Sequence, residues 1–188
     1  MGAQERQATS RWAEAIFAGG CFWCVEAVFK DLKGVHEVMP GYTGGHKPNP
    51  SYQEVCSGTT GHAEAVRILY DPAVISYREL LEVFFTTHDP TQLNRQGPDV
   101  GTQYRSAVFV RSKQERRLAE ETKKAAEGWW GAPVVTEIVE AGTFWPAEDY
   151  HRDYFARHPE QPYCAGVVAP KVAKARQRWR HLLKDARN

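Results

Sequence analysis

Hydrophobic and polar positions change period repeatedly along this chain, and each change marks an element. Residues 13–18 form a mostly apolar, strand-like run, and residues 22–30 read as a helix that ends near Gly34. A second extended segment follows at 35–42. Residues 63–70 alternate between apolar and polar and are closed by Asp71-Pro72, as expected of a half-buried strand. Two helices are announced by capping boxes, Ser76 with Glu79 opening one to about residue 87 and Ser112 with Glu115 opening one to about residue 127. Further strands are predicted at 106–110 and 134–140, and a helix at 148–157 stopped by Pro159. Residues 161–170 look irregular. Residues 171–186 are amphipathic, with Val172, Ala175, Trp179, Leu182 and Leu183 on one side. The loop at 44–51 is rich in Gly, Pro and Asn, and 52–56 could form one helical turn. Strands and helices alternate but large loops interrupt them. The expectation is a mixed sheet with helices packed on it, in one domain over 11–188, with residues 1–10 disordered.

Composition adds bounds. The 188 residues suffice for one sizeable core, and 42% hydrophobic with 25% charged residues reads as a soluble globular chain. A net charge of +1 gives no electrostatic case for nucleic acid or an anionic membrane. Residues 1–10 carry no apolar signal-type run, and Arg6 stands where a myristoylation motif needs Ser or Thr. A cytoplasmic location is expected. Four cysteines in such a chain point to redox, catalytic or metal chemistry more than to structural staples.

The sharpest chemical feature is Gly19-Gly20-Cys21-Phe22-Trp23-Cys24, a CxxC where a strand meets a helix. A helix N-terminus favours a thiolate, so Cys21 is a candidate nucleophile with a lowered pKa. Phe22 and Trp23 suit a target carrying an apolar group. Two buried, inert cysteines are the plain alternative. Half a zinc site is another, but no second CxxC supplies the remaining ligands. Glu64 shares strand parity with Val66, Ile68 and Tyr70. If that face is buried, desolvation keeps Glu64 protonated and able to act as a general acid; at the strand end it would meet water or His62 instead. Tyr52 and Tyr104 fit ordinary packing, and Asp99 fits a turn, yet the polar stretch 94–106 is long for a mere connection. Cys164 is either an incidental thiol or a mobile second thiol able to reach Cys21. Cys56 reads as buried and inert. The basic stretch from Lys171 reads as the solvated face of a packed helix.

Five stretches together carry a resemblance. They are Gly19-Gly20-Cys21-Phe22-Trp23-Cys24-Val25-Glu26, Gly41-Tyr42-Thr43-Gly44-Gly45, residues 50–56 from Pro50 to Cys56, Thr60-Gly61-His62-Ala63-Glu64-Ala65-Val66, and Asn94-Arg95-Gln96-Gly97 running on to Ser106. In this order they resemble the A-type peptide methionine sulfoxide reductases. The resemblance implies a two-layer α+β fold with a split β-α-β, ferredoxin-like core and a long coil-rich C-terminal segment. It implies reduction of methionine S-sulfoxide, free or in proteins, without metal or organic cofactor. Cys21 would attack sulfur and become a sulfenic acid; Glu64 would donate the proton. Tyr52 and Tyr104 would hydrogen-bond the oxygen, Asp99 would order the site, and Phe22 and Trp23 would enclose the S-methyl group. An intramolecular disulfide would then be reduced by thioredoxin. A monomer is the default.

This chain departs from many relatives in carrying Cys24 where they have glycine, and no cysteine follows Cys164. Cys164 is the expected resolving thiol, with Cys24 as its rival. Two other functions remain open: a general thiol–disulfide oxidoreductase using Cys21 and Cys24, and a non-catalytic domain with structural zinc.

Overall fold

The structure is a computed structural model that describes residues 12–184. The disordered segment expected at 1–10 lies outside the described residues. The strands are β1 (Ala13–Gly19), β2 (Val35–Thr43), β3 (Ala63–Tyr70), β4 (Arg95–Gln96), β5 (Asp99–Val100), β6 (Ser106–Val110), β7 (Glu137–Glu140) and β8 (Trp145–Pro146). The helices are α1 (Phe22–Phe29), α2 (Tyr52–Cys56), α3 (Tyr77–Thr87), α4 (Lys113–Trp130), α5 (Tyr154–Arg157) and α6 (Ala169–Arg178).

One sheet runs in the order β7-β6-β1-β3-β2-β8. Its pairings are antiparallel except β6 with β7, so the sheet is mixed as predicted. α1 leaves β1 and returns at β2, with β3 slotted between them; α3 leaves β3 and returns at β6, with β1 between. This is the split β-α-β arrangement. β4 and β5 form a separate two-stranded ribbon.

Strand parity builds two unequal layers. Phe17 on β1 and Val66, Ile68 and Tyr70 on β3 face α1 and α3, where they join Phe22, Phe29, Leu80, Leu81, Phe84 and Phe85 in the main core. Truncating a fully buried Phe of this kind to Ala costs about 3–5 kcal/mol. The opposite face carries the smaller set Ile16, Ala18, Ala63, Ala65, Ala107 and Phe109, covered by Ala141 and Phe144.

Both predicted helix starts are present. The Ser76 side chain accepts from the Glu79 N–H and the Glu79 carboxylate returns to the Ser76 N–H. Ser112 caps the Glu115 N–H, while the Glu115 carboxylate reaches one residue further, to the Arg111 N–H. α4 runs past residue 127 to Trp130 and stops where Gly131 turns left-handed, at φ 65°.

Four expectations are corrected. Residues 134–136 are not strand; the Val135 N–H bonds instead to the Pro90 carbonyl. Residues 148–157 are not one helix. A 3-10 turn, Asp149–His151, is separated from the single turn α5 by Asp153 at φ 53°, whose N–H is taken by the Glu26 carboxylate. Residues 161–170 are largely helical, because Cys164–Val168 forms a π-helical stretch that runs straight into α6, with Pro170 tolerated in the first turn. Finally, α6 ends at Arg178. A 3-10 turn, Arg180–Leu182, folds the chain back so that the Leu182 carbonyl takes the Lys33 N–H. Beyond residue 184 the predicted helix lies outside the described residues.

Candidate active site

Cys21 is the N-cap residue of α1, at the point where β1 turns into the helix. The turn depends on Gly20, at φ +93°, where a Cβ would lie 2.7 Å from the Gln96 side chain. Gln96 in turn clamps Asp89, donating to its carbonyl and accepting its N–H. The nucleophile's turn is thereby packed against the 94–106 loop. The polar length of that loop is explained: it carries Asp99 and Tyr104 to the site.

The Cys21 thiol is 7% exposed and Cys24, one helical turn on, 3%. Their side chains hydrogen-bond to each other. Burial pushes Cys21 well above the ordinary thiol range, with the Cys24 hydrogen bond and the Glu64 charge adding to it. The lowered pKa expected at a helix start is therefore not found at Cys21; desolvation outweighs the helix terminus. Cys24 is lowered instead, first because the Cys21 side chain bonds to it, against burial, with the Lys171 ammonium helping.

Glu64 lies on the core side of β3 and is 1% exposed. Its Oε1 accepts the Phe22 N–H at 3.1 Å, and its Oε2 is buried without a partner. Burial, opposed by the Phe22 N–H and reinforced by Asp99 and Cys24, raises its pKa to about 8. The buried-face reading is correct, and the alternative of a solvated strand end is not. His62 is engaged elsewhere, bonding to the Gly45 N–H and the Lys47 carbonyl.

The Tyr52 and Tyr104 hydroxyls converge on the same place. Both meet the Cys56 thiol, and burial followed by the Glu64 charge raises both phenols. Cys56 is exposed rather than buried, at the rim of the site. Asp99 accepts a hydrogen bond from the Tyr163 hydroxyl, which also lies within hydrogen-bonding reach of Cys24. Cys164, beside Tyr163, is fully buried; the charges acting on it are Cys24 and then Glu160. The structure thus brings Cys21, Cys24, Glu64, Asp99, Tyr52 and Tyr104 together.

Of the aromatic pair, Phe22 is fully buried against Tyr42, Tyr52 and His151, so it backs the site. Trp23 is the half-buried ring. Tyr154 stacks on it at 3.9 Å and 7°, and the Tyr163 ring meets it edge-on at 5.9 Å. Its indole N–H donates to His151 Nδ1 at 3.0 Å. Burial lowers His151 to about 4, so the ring is neutral and accepts that bond. Sequence reasoning missed His151, Glu148 (which takes the Tyr42 hydroxyl and the Tyr52 N–H) and Tyr154. The only available signal was the aromatic density of residues 144–163, on a segment read as a plain helix. Among the described residues no group of three or more His, Cys, Asp or Glu side chains is placed to hold a metal.

A thiol at a helix start, a protonated buried carboxylic acid facing it and an aromatic wall beside both define a cysteine-dependent reductase of small polar groups. The comparisons with known proteins agree. Residues 13–183 match the peptide methionine sulfoxide reductase family. A peptide methionine sulfoxide reductase MsrA of Thermus thermophilus is 55% identical over 170 residues, covering 90% of this chain and 97% of the relative. Among solved structures, reduced Mxr1 from Saccharomyces cerevisiae matches with a TM-score of 0.78 at 36% identity, over 82% of this chain and 90% of that one. Methionine sulfoxide reductase A of Corynebacterium diphtheriae matches at 0.72 and 34%, over 79% and 76%. The chain belongs to the peptide methionine sulfoxide reductase family. No helix of the described residues is long and apolar enough to cross a membrane.

Proposed function

We propose that this chain reduces the S epimer of methionine sulfoxide, free and in peptides, to methionine. The observation that carries the reading is the buried Glu64 carboxyl, pushed up to about 8, next to the Cys21 thiol. A sulfoxide oxygen leaves sulfur only once it is protonated. Glu64 supplies that proton and the Tyr52 and Tyr104 hydroxyls hold the oxygen. Cys21, as thiolate, attacks the sulfur. The S–O oxygen passes to Cys21 as a sulfenic acid and methionine leaves. Asp99 fixes Tyr163, whose ring closes on Trp23, and Trp23 offers the apolar wall for the S-methyl group.

A second thiol of the chain converts the sulfenic acid to a disulfide, and a dithiol reductant of thioredoxin type reopens it. Such a cycle needs a reducing compartment, and the cytoplasm is our reading of its location. The experiment is turnover of separated S and R epimers with dithiothreitol, for the wild type and Cys21→Ser. Conversion of the S epimer alone, lost in the variant, supports the reading. No conversion of either epimer by the reduced, folded protein overturns it and returns general thiol–disulfide exchange to the front.

A further inference from the structure

The resolving step poses a geometric problem. Cys164 is fully buried in the π-helical stretch behind α1, and the only thiol among the charges acting on it is Cys24. Cys24 stands between the two. It lies one turn from Cys21, with its N–H bonded to the Cys21 carbonyl at 3.1 Å and its side chain hydrogen-bonded to the Cys21 thiol. Cys21 has N-cap backbone angles, φ −57° and ψ 125°, outside the helical region. A thiol pair at a helix start can close a disulfide there without unwinding the helix, as CxxC redox pairs do.

From this placement we infer that Cys24, not Cys164, is the thiol that resolves the Cys21 sulfenic acid. The inference rests on the reductase reading above. In the step, the Cys24 sulfur attacks the Cys21 sulfur. An S–S bond forms, the S–O bond breaks, and the hydroxyl leaves with the Cys24 proton as water. Both sulfurs end oxidised by one electron each relative to the thiols, and two external thiols restore them. Three surroundings fit Cys24 to this task. The Lys171 ammonium favours its thiolate form, the Tyr163 hydroxyl is within bonding reach, and no chain segment has to move for it to meet Cys21. The Cys164 route requires displacement of a helix that Val168 and Val172 anchor in the core. Lys171 thereby gains a role as a positioning charge that faces inward from an otherwise solvated basic helix.

The test maps disulfides in the reduced protein after one equivalent of methionine S-sulfoxide and, in parallel, one equivalent of hydrogen peroxide. Wild type, Cys164→Ser and Cys24→Ser are compared by peptide mass mapping with dimedone present. The expected result is a Cys21–Cys24 link in wild type and Cys164→Ser, and a dimedone adduct on Cys21 in Cys24→Ser. A Cys21–Cys164 link in wild type, or one formed in Cys24→Ser at the rate of wild-type closure, overturns the inference. The peroxide arm separates the two readings. A Cys21–Cys24 link there, with no methionine released in the sulfoxide arm, sinks the reductase reading and leaves the pairing standing.

Discussion

Glu64→Gln should make this protein inactive and more stable at once. The folded state holds Glu64 at about 8 against an ordinary 4.5. A carboxylic acid raised on folding gives its full stability below its unfolded pKa, and that stability is lost as pH rises through the folded one. Linkage at about 1.4 kcal/mol per pH unit puts the loss at about 1 kcal/mol at pH 5, about 3 at pH 7 and about 5 at pH 9. Glutamine is an isostere of the neutral acid. Its Oε1 keeps the Phe22 N–H, and its amide NH2 replaces a proton-bearing oxygen that was already unpartnered. The substitution therefore removes the ionisation cost and little else. Urea denaturation of wild type and variant at the three pH values reads the difference directly, because other titrating groups cancel. The gain should grow from about 1 to about 5 kcal/mol across that range while turnover falls roughly 10²–10⁴-fold. A difference that stays flat with pH, or a variant less stable than wild type, would show that Glu64 is a paired structural carboxylate, and the acid role would fall with it.

The same group sets a pH profile: kcat/KM for methionine sulfoxide should decline above about pH 8 as Glu64 ionises, and a profile still rising through pH 9 would refute the assignment. Trp23→Ala should raise KM with a smaller change in kcat, since the ring walls the site without carrying a proton; an unaltered KM would count against the wall. Glu26→Ala removes the acceptor of the Asp153 N–H, leaving that group unpaired at a cost of about 1–3 kcal/mol. It should lower the denaturation midpoint and raise KM, because the freed segment carries His151 and Tyr154 onto Trp23; a lower midpoint with KM unmoved would show the segment holds without it.

Much of the fold was legible because its signals are local. Ser76 and Ser112 announce helices through bonds made within four residues, and alternation along 63–70 put Glu64 on the same face as Val66 whatever lay opposite. What parity could not say was which face is dry. That needed α1 and α3 laid across it. Residues 148–157 misled because helical propensity favoured continuity, while a carboxylate more than 120 residues away claimed the Asp153 N–H and broke the helix there. Residues 161–170 misled the other way: Gly166 and Pro170 suggest a break, yet Pro170 falls in a first turn that needs no N–H from it. Cys21 was legible as a nucleophile by position, but its pKa was not, since burial depends on every neighbour.

The composition of the pocket argues for the reaction itself. Cys21, Cys24, Glu64, Asp99 and Tyr163 are all acids, packed so that each anion raises the others, and Lys171 is the cation that acts on the thiol pair. A thiol–disulfide oxidoreductase works best with a ready thiolate, and this pocket at rest keeps its leading thiol protonated. Sulfoxide reduction has the opposite need. Two thiols and a sulfoxide give a disulfide, a thioether and water, so both thiol protons end on the departing oxygen. A dry cluster of mutually protonated acids is a proton store placed where such a reaction spends protons. The substrate, a neutral dipole, enters without adding to the negative charge that the pocket already resists.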